Sequence, residues 1–175
     1  MLIGQAPGQT EAQGGRAFTG RAGKTLFRWL AEGAIDESVW RERVLMAAMT
    51  RCYPGPGPSG RGDRVPTPAE LCSCRSWLDE ELMIVRPRVL VLVGRLAIDQ
   101  FIGRRPLSNV IGKAHRVTHA GGESLAIPLP HPSGASSWIH QSGHRELLRD
   151  ALALLGQELP ELVADGAAAF GSRVA

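Results

Sequence analysis

The sequence has little lysine, little cysteine and no long apolar run. Lys24 and Lys113 are the only lysines among the 20 basic residues of the 175-residue chain, which leaves 18 arginines. Three cysteines are too few for a disulfide framework in a chain of this length, so a reducing, cytoplasmic setting is expected. No run of about 18 apolar residues is present, and therefore no membrane span is expected. The opening MLIGQAPG lacks the basic and apolar regions of a secretory signal.

The composition is that of a folded domain. Hydrophobic residues make up 43% and charged residues 21%, which argues against a disordered chain. The length predicts one domain over residues 1–158, followed by a flexible tail over 159–175, because that segment is rich in alanine and glycine. The net charge of +3 permits nucleic acid as a partner without requiring it. Arginine suits bidentate contact with phosphate, although compositional bias explains its excess equally well.

Short apolar runs and amphipathic segments alternate along the chain. The apolar runs at 1–3, 44–49, 89–93 and 125–129 predict strands that are covered on both faces, as in a parallel sheet. Apolar residues at helical spacing predict helices at 23–31, 67–85 and 144–155, and Thr67 with Glu70 has the signature of a capping box. This alternation predicts a three-layer α/β/α sandwich around a short, mainly parallel, four-stranded sheet.

Three long loops, at 4–23, 53–66 and 130–143, each follow a predicted strand. Sites in open parallel sheets lie at the carboxyl ends of the strands, so the loops should converge on one edge. The segment Gly4-Gln5-Ala6-Pro7-Gly8 either brings backbone N–H groups close to a phosphate or base, or is a plain turn. The segment His131-Pro132-Ser133-Gly134 places an imidazole where it can contact a ligand, although a lone histidine is often structural.

Three blocks of sequence, taken together, resemble one family. Residues 4–23 read GQAPGQTEAQGGRAFTGRAG, residues 50–75 begin TRC and end PTPAELCSCR, and residues 129–133 read LPHPS. In this order they resemble the signatures of the uracil-DNA glycosylase superfamily, above all its iron–sulfur family-4 branch, in which GEAPG precedes an acidic pair and a G-x-P-F-x-G-x-A-G stretch. The resemblance spans roughly residues 1–155. It implies a DNA repair enzyme that flips a uracil or related deaminated base out of DNA and hydrolyses its N-glycosidic bond.

The resemblance also assigns roles to individual residues. Phe18 falls where the family stacks an aromatic ring on the flipped base, and His131 where a histidine contacts the base carbonyl as negative charge develops. The backbone of Ala6, Pro7 and Gly8 would contact the base. The loop after His131 would enter the minor groove and contact phosphates through Ser133, Gly134, Ser136 and Trp138, with Trp138 either a wedge or a packed loop anchor. Arg51, Arg61 and Arg64 are either further phosphate contacts or parts of a solvated loop.

The sequence departs from the family-4 pattern at two base-facing positions. Gln5 stands where the branch has glutamate, and an amide cannot act as a general base, although it can orient water or bind the base edge. Glu11 matches another acid of the signature, and we expect it either to position water or to stabilise the turn. Ala48 stands where the branch has a uracil-reading asparagine. Alanine cannot make that contact, so either another group reads the base or specificity and activity are reduced.

Cys52 and Cys74 match two of the four cluster ligands of the family-4 branch. The other two lie upstream of the first motif in that branch, and the chain begins within the preceding strand. Either the start site is placed too late, or the cluster has been lost; Cys72 lies two residues out of pattern. The resemblance thus implies a four-iron four-sulfur cluster only in a longer form, since such clusters require four thiolates. Two packed, unliganded thiols are the plain alternative.

Three functions remain as hypotheses. The first is a DNA glycosylase that acts as a cytoplasmic, nucleoid-associated monomer on single- or double-stranded DNA. The second is a DNA-binding relative with weak or no catalysis. The third is a nucleotide-phosphate binder that uses Gly20-Arg21-Ala22-Gly23-Lys24-Thr25, which imitates the end of a phosphate-binding loop. The loop at 53–66 has no histidine, which argues against a branch whose loop histidine bonds covalently to DNA.

Overall fold

The computed structural model describes residues 1–58, 62–133 and 137–171, with side chains described up to residue 165. Its centre is a five-stranded sheet. The strands are β1 (Leu2–Gly4), β2 (Met46–Ala48), β3 (Val89–Val93), β4 (His115–His119) and β5 (Gly122–Leu129), in the order β2-β1-β3-β5-β4. All neighbours pair in parallel except β4 and β5, which form an antiparallel pair at the edge.

The parallel strands are buried because they consist almost entirely of apolar residues. Every residue of β3 is buried, and Val89–Val93 pairs along its whole length with the apolar end of β5. The four predicted strands are confirmed, with β3 matching its prediction to the residue. The expected strand count was one too low, because β4 was not foreseen. Its sequence, HRVTH, alternates, and only Val117 is buried, so it lacks the apolar run by which the other strands were recognised.

Eight α-helices and one 3₁₀ turn (Trp138–His140) connect the strands in the described part of the chain. The longer predicted helices are confirmed, and α4 begins as predicted. The Thr67 side chain accepts from the Glu70 N–H, while Glu70 Oε2 accepts from the Thr67 N–H at 2.7 Å. The bounds are α1 (Gln9–Gly14), α2 (Arg21–Glu32), α3 (Glu37–Arg43), α4 (Pro68–Val85), α5 (Arg95–Phe101), α6 (Leu107–Val110), α7 (His144–Glu158) and α8 (Pro160–Gly171).

The helices cover the sheet and enclose one hydrophobic core. Helix α5 packs against β1, β3 and β4, whereas α7 packs against β5 and also contacts α2 and α8. The core includes the fully buried Trp40, Leu2, Leu30 and Ile98. The arrangement confirms an α/β sandwich with a mainly parallel central sheet. None of the described helices is long and apolar enough to cross a bilayer.

The segment expected to be a flexible tail contains a helix. Helix α8 begins at Pro160, and its Leu162 is only 3% exposed. Asp165 of α8 forms an ion pair with Arg43 of α3 at 2.9 Å. The composition suggested a frayed end, but alanine is a strong helix former, and the buried leucine docks this helix on the domain.

Candidate functional site

The three long loops meet at the carboxyl edge of the sheet. Gln5 of the first loop donates from Nε2 to the carbonyl of Arg64 in the second loop at 3.4 Å. A Cβ built on Gly8 of the first loop would lie 3.1 Å from the carboxylate of Asp63. The charge of Asp63 also acts on His131 in the third loop. Segments that are distant in sequence therefore form one site.

His131 and Phe18 each lie over a glycine at the end of neighbouring strands. A Cβ on Gly4 would lie 3.2 Å from Phe18 Cζ, and one on Gly94 would lie 2.8 Å from His131 Cδ2. Gly4 ends β1 and Gly94 follows β3, and these two strands are paired in parallel. Paired strands are about 4.8 Å apart, so the two glycines, and the rings that lie over them, are at the same edge of the sheet.

The hydrogen bonding of His131 defines its tautomer. The Ser133 N–H donates to Nδ1 at 3.2 Å, so Nδ1 acts as an acceptor and the neutral ring carries its proton on Nε2. Burial lowers the pKa of His131, and the nearby Asp63 carboxylate opposes that change. The imidazole is therefore neutral at pH 7 and offers an N–H donor. A ligand oxygen that gains negative charge would be stabilised by this donor.

Phe18 is held by an arginine that sequence reasoning missed. Arg41 donates from Nη1 to the Ala17 carbonyl at 2.8 Å and from Nη2 to the Phe18 carbonyl at 2.9 Å. Its guanidinium also pairs with Glu37 at 2.7 Å and lies 4.3 Å from the centre of the Phe27 ring. Phe18 has a φ of +54°, which a non-glycine residue adopts at some cost. The arginine thus stabilises a strained turn that presents the ring.

The turn also requires glycine at position 23. A Cβ on Gly23 would come within 1.9 Å of the Phe18 carbonyl oxygen, so α2 can begin this close to the turn only without a side chain there. In the sequence, Gly20 and Gly23 imitate the end of a phosphate-binding loop. The glycine at position 23 is required because α2 approaches the Phe18 turn closely, rather than because a phosphate is bound.

Glu11 braces the first loop. Its Oε1 accepts from the Gly20 N–H at 2.8 Å, and a Cβ on Gly8 would meet Oε2 at 2.6 Å. These contacts match the turn-stabilising alternative for Glu11. The same hydrogen bond occupies the backbone N–H that a phosphate would need at the start of α2. The geometry therefore offers no support for a nucleotide-phosphate site at residues 20–25.

Asp63 is a carboxylate that sequence reasoning did not place in the site. It lies beside Gly8 in the first motif, and it accepts a hydrogen bond from the Tyr53 hydroxyl. Burial, followed by the charge and hydrogen bond of Asp63, raises the pKa of Tyr53. Asp63 is the one acidic residue in the loop at 53–66. The sequence thus singles out this residue, but it does not show that Asp63 lies beside Gly8. The structure therefore places a negative group beside Gly8, one residue before Arg64, whose carbonyl accepts from Gln5.

Ala48 lies at the end of β2, beside the end of β1. It pairs in register with Gly4 at the ends of β2 and β1 and is partly exposed. Its methyl group has neither donor nor acceptor. Ala6, Pro7 and Gly8 are likewise partly buried. These four residues present backbone and small apolar groups, and their contact with a base stays a prediction.

Two of the predicted phosphate contacts are engaged in ion pairs. Arg64 makes two contacts with Glu70, at 2.6 and 2.8 Å, and Arg51 pairs with Glu81 at 2.7 Å. The hydrogen bond from Arg64 is the largest cause that lowers the pKa of Glu70 to about 2. Both guanidinium groups would have to exchange these partners to bind phosphate. Their role in DNA binding stays a prediction.

The loop after His131 is only partly described. Trp138 stacks on His144, with ring centres 4.1 Å apart, and its carbonyl oxygen lies 2.9 Å from His144 Nδ1. This packing matches the loop-anchor alternative for Trp138. Ser133 is in place beside His131. Arg61, Gly134 and Ser136, which were also predicted to contact DNA, lie outside the described residues.

A cavity of about 150 Å³ opens beside His131. It lies between α2, the segment His131–Ser133, the 3₁₀ turn and the start of α7. Its lining residues are Thr25, Arg28, Trp29, His131, Pro132, Ser133, Ile139, His140 and Arg145. Phe18 is not among these lining residues.

The cysteines do not make a four-thiolate site within the described residues. The Sγ of Cys74 accepts from the Arg51 N–H at 3.5 Å, which places Cys74 against the turn that carries Cys52. Cys52 and Cys72 are exposed, so the alternative of two buried, packed thiols does not hold for Cys52. Within residues 1–58, 62–133 and 137–165, no three His, Cys, Asp or Glu side chains are grouped to hold a metal ion. Cys74 thus lies against the turn of Cys52, and these two cysteines are half of the ligand set that the resemblance implies.

Comparison with known families identifies the superfamily of the chain. The model of the Uracil DNA glycosylase superfamily matches residues 1–155. The chain belongs to this superfamily. A type-4 uracil-DNA glycosylase of Archaeoglobus fulgidus is 34% identical over 139 residues, which cover 76% of this chain and 64% of the relative. One from Thermotoga maritima is 32% identical over 133 residues, with the same coverages of 76% and 64%.

The superfamily match extends beyond one type. A type-5 uracil-DNA glycosylase of Thermus thermophilus is 32% identical over 141 residues, which cover 74% of this chain and 58% of the relative. The chain thus spans less than two thirds of the length of these three relatives. The match establishes the superfamily of the chain.

Proposed function

We propose that this protein hydrolyses the N-glycosidic bond of uracil or a related deaminated base that is flipped out of DNA. The proposal depends chiefly on one observation, the hydrogen bond from the Ser133 N–H to Nδ1 of His131. Because Nδ1 accepts this hydrogen bond, the neutral imidazole of His131 carries its N–H donor on Nε2. The imidazole lies at the same edge of the sheet as Phe18. The names of the relatives support the same reaction class.

In the proposed reaction, the extruded base stacks on Phe18 and directs a carbonyl oxygen toward His131. The bond from the sugar C1′ to the base nitrogen breaks, and its electron pair moves into the base. Negative charge gathers on the carbonyl oxygen, where the Nε2–H of His131 donates to it. One preorganised donor of this kind is worth roughly 3–4 kcal/mol.

Water then adds to C1′ and must lose a proton. Gln5 cannot accept it, and Glu11 already binds the Gly20 N–H. We assign this role to Asp63, whose carboxylate lies beside Gly8 and near His131. A positioned carboxylate contributes about 10²–10⁴-fold as a general base. The Tyr53 hydroxyl orients Asp63 through its hydrogen bond.

Single-turnover assays test the proposal directly. Oligonucleotides that contain uracil, hypoxanthine or xanthine are incubated with excess protein, and abasic sites are detected by alkaline cleavage. We expect product with at least one of the three bases, and a loss of roughly 10²–10³-fold for His131→Gln. His119→Gln, which changes a histidine on β4, is the control and should retain the rate. Absence of product with all three bases would remove the enzymatic proposal.

A second function is favoured by Ala48, whose methyl group lies next to Gly4 where a base-reading amide is expected. Without that amide, the protein would bind flipped or single-stranded DNA and cleave weakly. Binding that depends on salt but not on the damaged base would support this alternative. The double substitution Gln5→Glu with Ala48→Asn should then produce cleavage. If the double variant cleaves no faster than the wild type, this alternative is wrong.

A further inference from the structure

We propose that the cavity beside His131 binds a DNA backbone phosphate next to the flipped nucleotide. This inference rests on the proposed function, because it assumes that His131 faces the nucleotide. The cavity measures about 150 Å³, well above the roughly 10–15 Å³ that one water requires. It is therefore large enough for a compact anion.

The charges that line the cavity favour an anion. Arg28 comes from α2, His140 from the 3₁₀ turn and Arg145 from α7, and among the described residues no carboxylate lines the cavity. In the part of the chain that the structure describes, Arg28 has no ion-pair partner, and Arg145 has only a long contact of 3.7 Å with Glu32. These guanidinium groups can turn toward a phosphate, with which arginine forms bidentate contacts.

The surface next to the cavity extends this positive charge. Arg21, Lys24 and Arg28 are exposed within the first eight residues of α2, and no acidic residue follows in that helix before Glu32. Arg21 and Lys24 likewise have no ion pair among residues 1–58, 62–133 and 137–165. A strand that enters the cavity with one phosphate would pass along this basic helix face. This pattern favours a polymer with repeated charges over a single small anion.

The location of the cavity relative to His131 suits a phosphate rather than the base. His131 lines the cavity, whereas Phe18 does not, so a phosphate in the cavity would not occupy the place beside Phe18 that the proposed function assigns to the base. Thr25 already donates its hydroxyl to the Arg21 carbonyl at 3.3 Å, so the charged side chains must supply the main contacts. The base and a neighbouring phosphate would thus bind at two separate places around one imidazole. Arg28 and Arg145 would fix the strand so that the glycosidic bond faces Nε2.

The salt dependence of DNA binding tests this assignment. Each of Arg28→Gln and Arg145→Gln should weaken binding regardless of sequence and reduce the slope of log K against log salt by about 1. Arg28→Lys, which keeps the charge, should retain most of the slope. Arg116→Gln is the matched control, since Arg116 is exposed on the edge strand β4. If Arg28→Gln and Arg145→Gln behave like Arg116→Gln, the inference is wrong.

Neutral backbone linkages locate the phosphate. Methylphosphonates replace, one at a time, the phosphates on either side of the damaged nucleotide. We expect one replacement to weaken wild-type binding and to have little further effect on the Arg28→Gln/Arg145→Gln variant. Equal losses for both proteins at every position would contradict a backbone site, as would competition by a free nucleotide monophosphate without any position effect.

The two proposals can fail separately. A protein that binds DNA with this arginine dependence but cleaves no damaged base would retain the phosphate site and lose the glycosylase function. A protein that cleaves but whose Arg28 and Arg145 variants match the control would retain the function and lose the phosphate site.

Discussion

The imidazole of His131 lies directly against the backbone of Gly94, where a methyl group would come within 2.8 Å of Cδ2. Gly94 also has a φ of +88°, which side-chain-bearing residues rarely adopt. The end of β3 thus sets the position of a ring that follows β5, because paired strands end side by side. This contact explains how a short sheet orients the imidazole.

Gly94→Ala should reduce the rate more than it reduces stability. The methyl group would displace the ring from its hydrogen bond with Ser133, and a 1 Å misplacement costs about 10²-fold in rate. Gly103→Ala is the control, since Gly103 has a similar φ of +90° but a methyl group there would meet no atom within 4 Å. Both variants should lose about 1–2 kcal/mol of unfolding free energy in denaturant titrations. Equal single-turnover rates for the two variants would refute the contact as a positioning device.

Arg41→Gln should loosen the turn that presents Phe18. The substitution removes hydrogen bonds to the Ala17 and Phe18 carbonyls and the ion pair with Glu37. Because the Arg41 side chain is only 11% exposed, we expect a loss of about 2 kcal/mol in unfolding free energy. Arg43→Gln, which breaks a surface ion pair with Asp165, should cost less than about 1 kcal/mol.

The Arg41 variant also has a functional readout. Weaker presentation of Phe18 should reduce affinity for DNA that contains the damaged base more than affinity for undamaged DNA, since stacking is worth about 1–3 kcal/mol per base. Fluorescence anisotropy with the two DNAs measures this difference. A uniform loss on both would indicate a purely structural role for Arg41.

Asp63→Asn should slow hydrolysis by about 10²-fold while leaving the fold intact. The amide is close in size to the carboxylate and can still accept from the Tyr53 hydroxyl, but it cannot take a proton from water. Asp79→Asn on α4 removes the same charge from a surface ion pair with Arg75 and serves as the control. A full rate for Asp63→Asn would show that water needs no carboxylate at this position.

The rate of base release should decrease as the pH falls below about 6.5, the ordinary pKa of histidine. His131 must be neutral so that Nδ1 accepts from Ser133 and Nε2 donates, and burial lowers its pKa. The neutral form of His131 therefore persists at pH values below the ordinary pKa of histidine. The pH at which half of the rate is lost should accordingly be lower than that ordinary pKa. Single-turnover rates measured across acidic and neutral pH give the profile. A midpoint above the ordinary value would contradict a neutral donor.

Local sequence patterns predicted the parallel strands and the longer helices because each of these elements has a continuous or periodic apolar signal. Strand β4 and helix α3 lack such a signal. Helix α3 was not predicted, because it has seven residues, of which only Val39 and Trp40 are buried; the Asp36 side chain caps it by accepting from the Ser38 N–H at 2.8 Å. Short elements of this kind are fixed by tertiary packing more than by their own pattern.

The sequence predicted those residues of the candidate site that belong to a recognisable motif. Phe18 and His131 were found in this way, and the structure brings them to one edge. Asp63 and Arg41 could not be placed from sequence, because they act on residues 55 and 23 positions away, Gly8 and Phe18 respectively. Contacts across loops depend on the fold, and a charged residue in a loop has no periodicity that indicates its partner.

A crystal structure of the protein with DNA that contains an abasic site, together with free uracil, tests the central claim most directly. We expect the base to stack on Phe18, with a carbonyl oxygen within about 2.7–3.1 Å of Nε2 of His131. A base bound elsewhere, or one that meets His131 through Nδ1, would contradict the account.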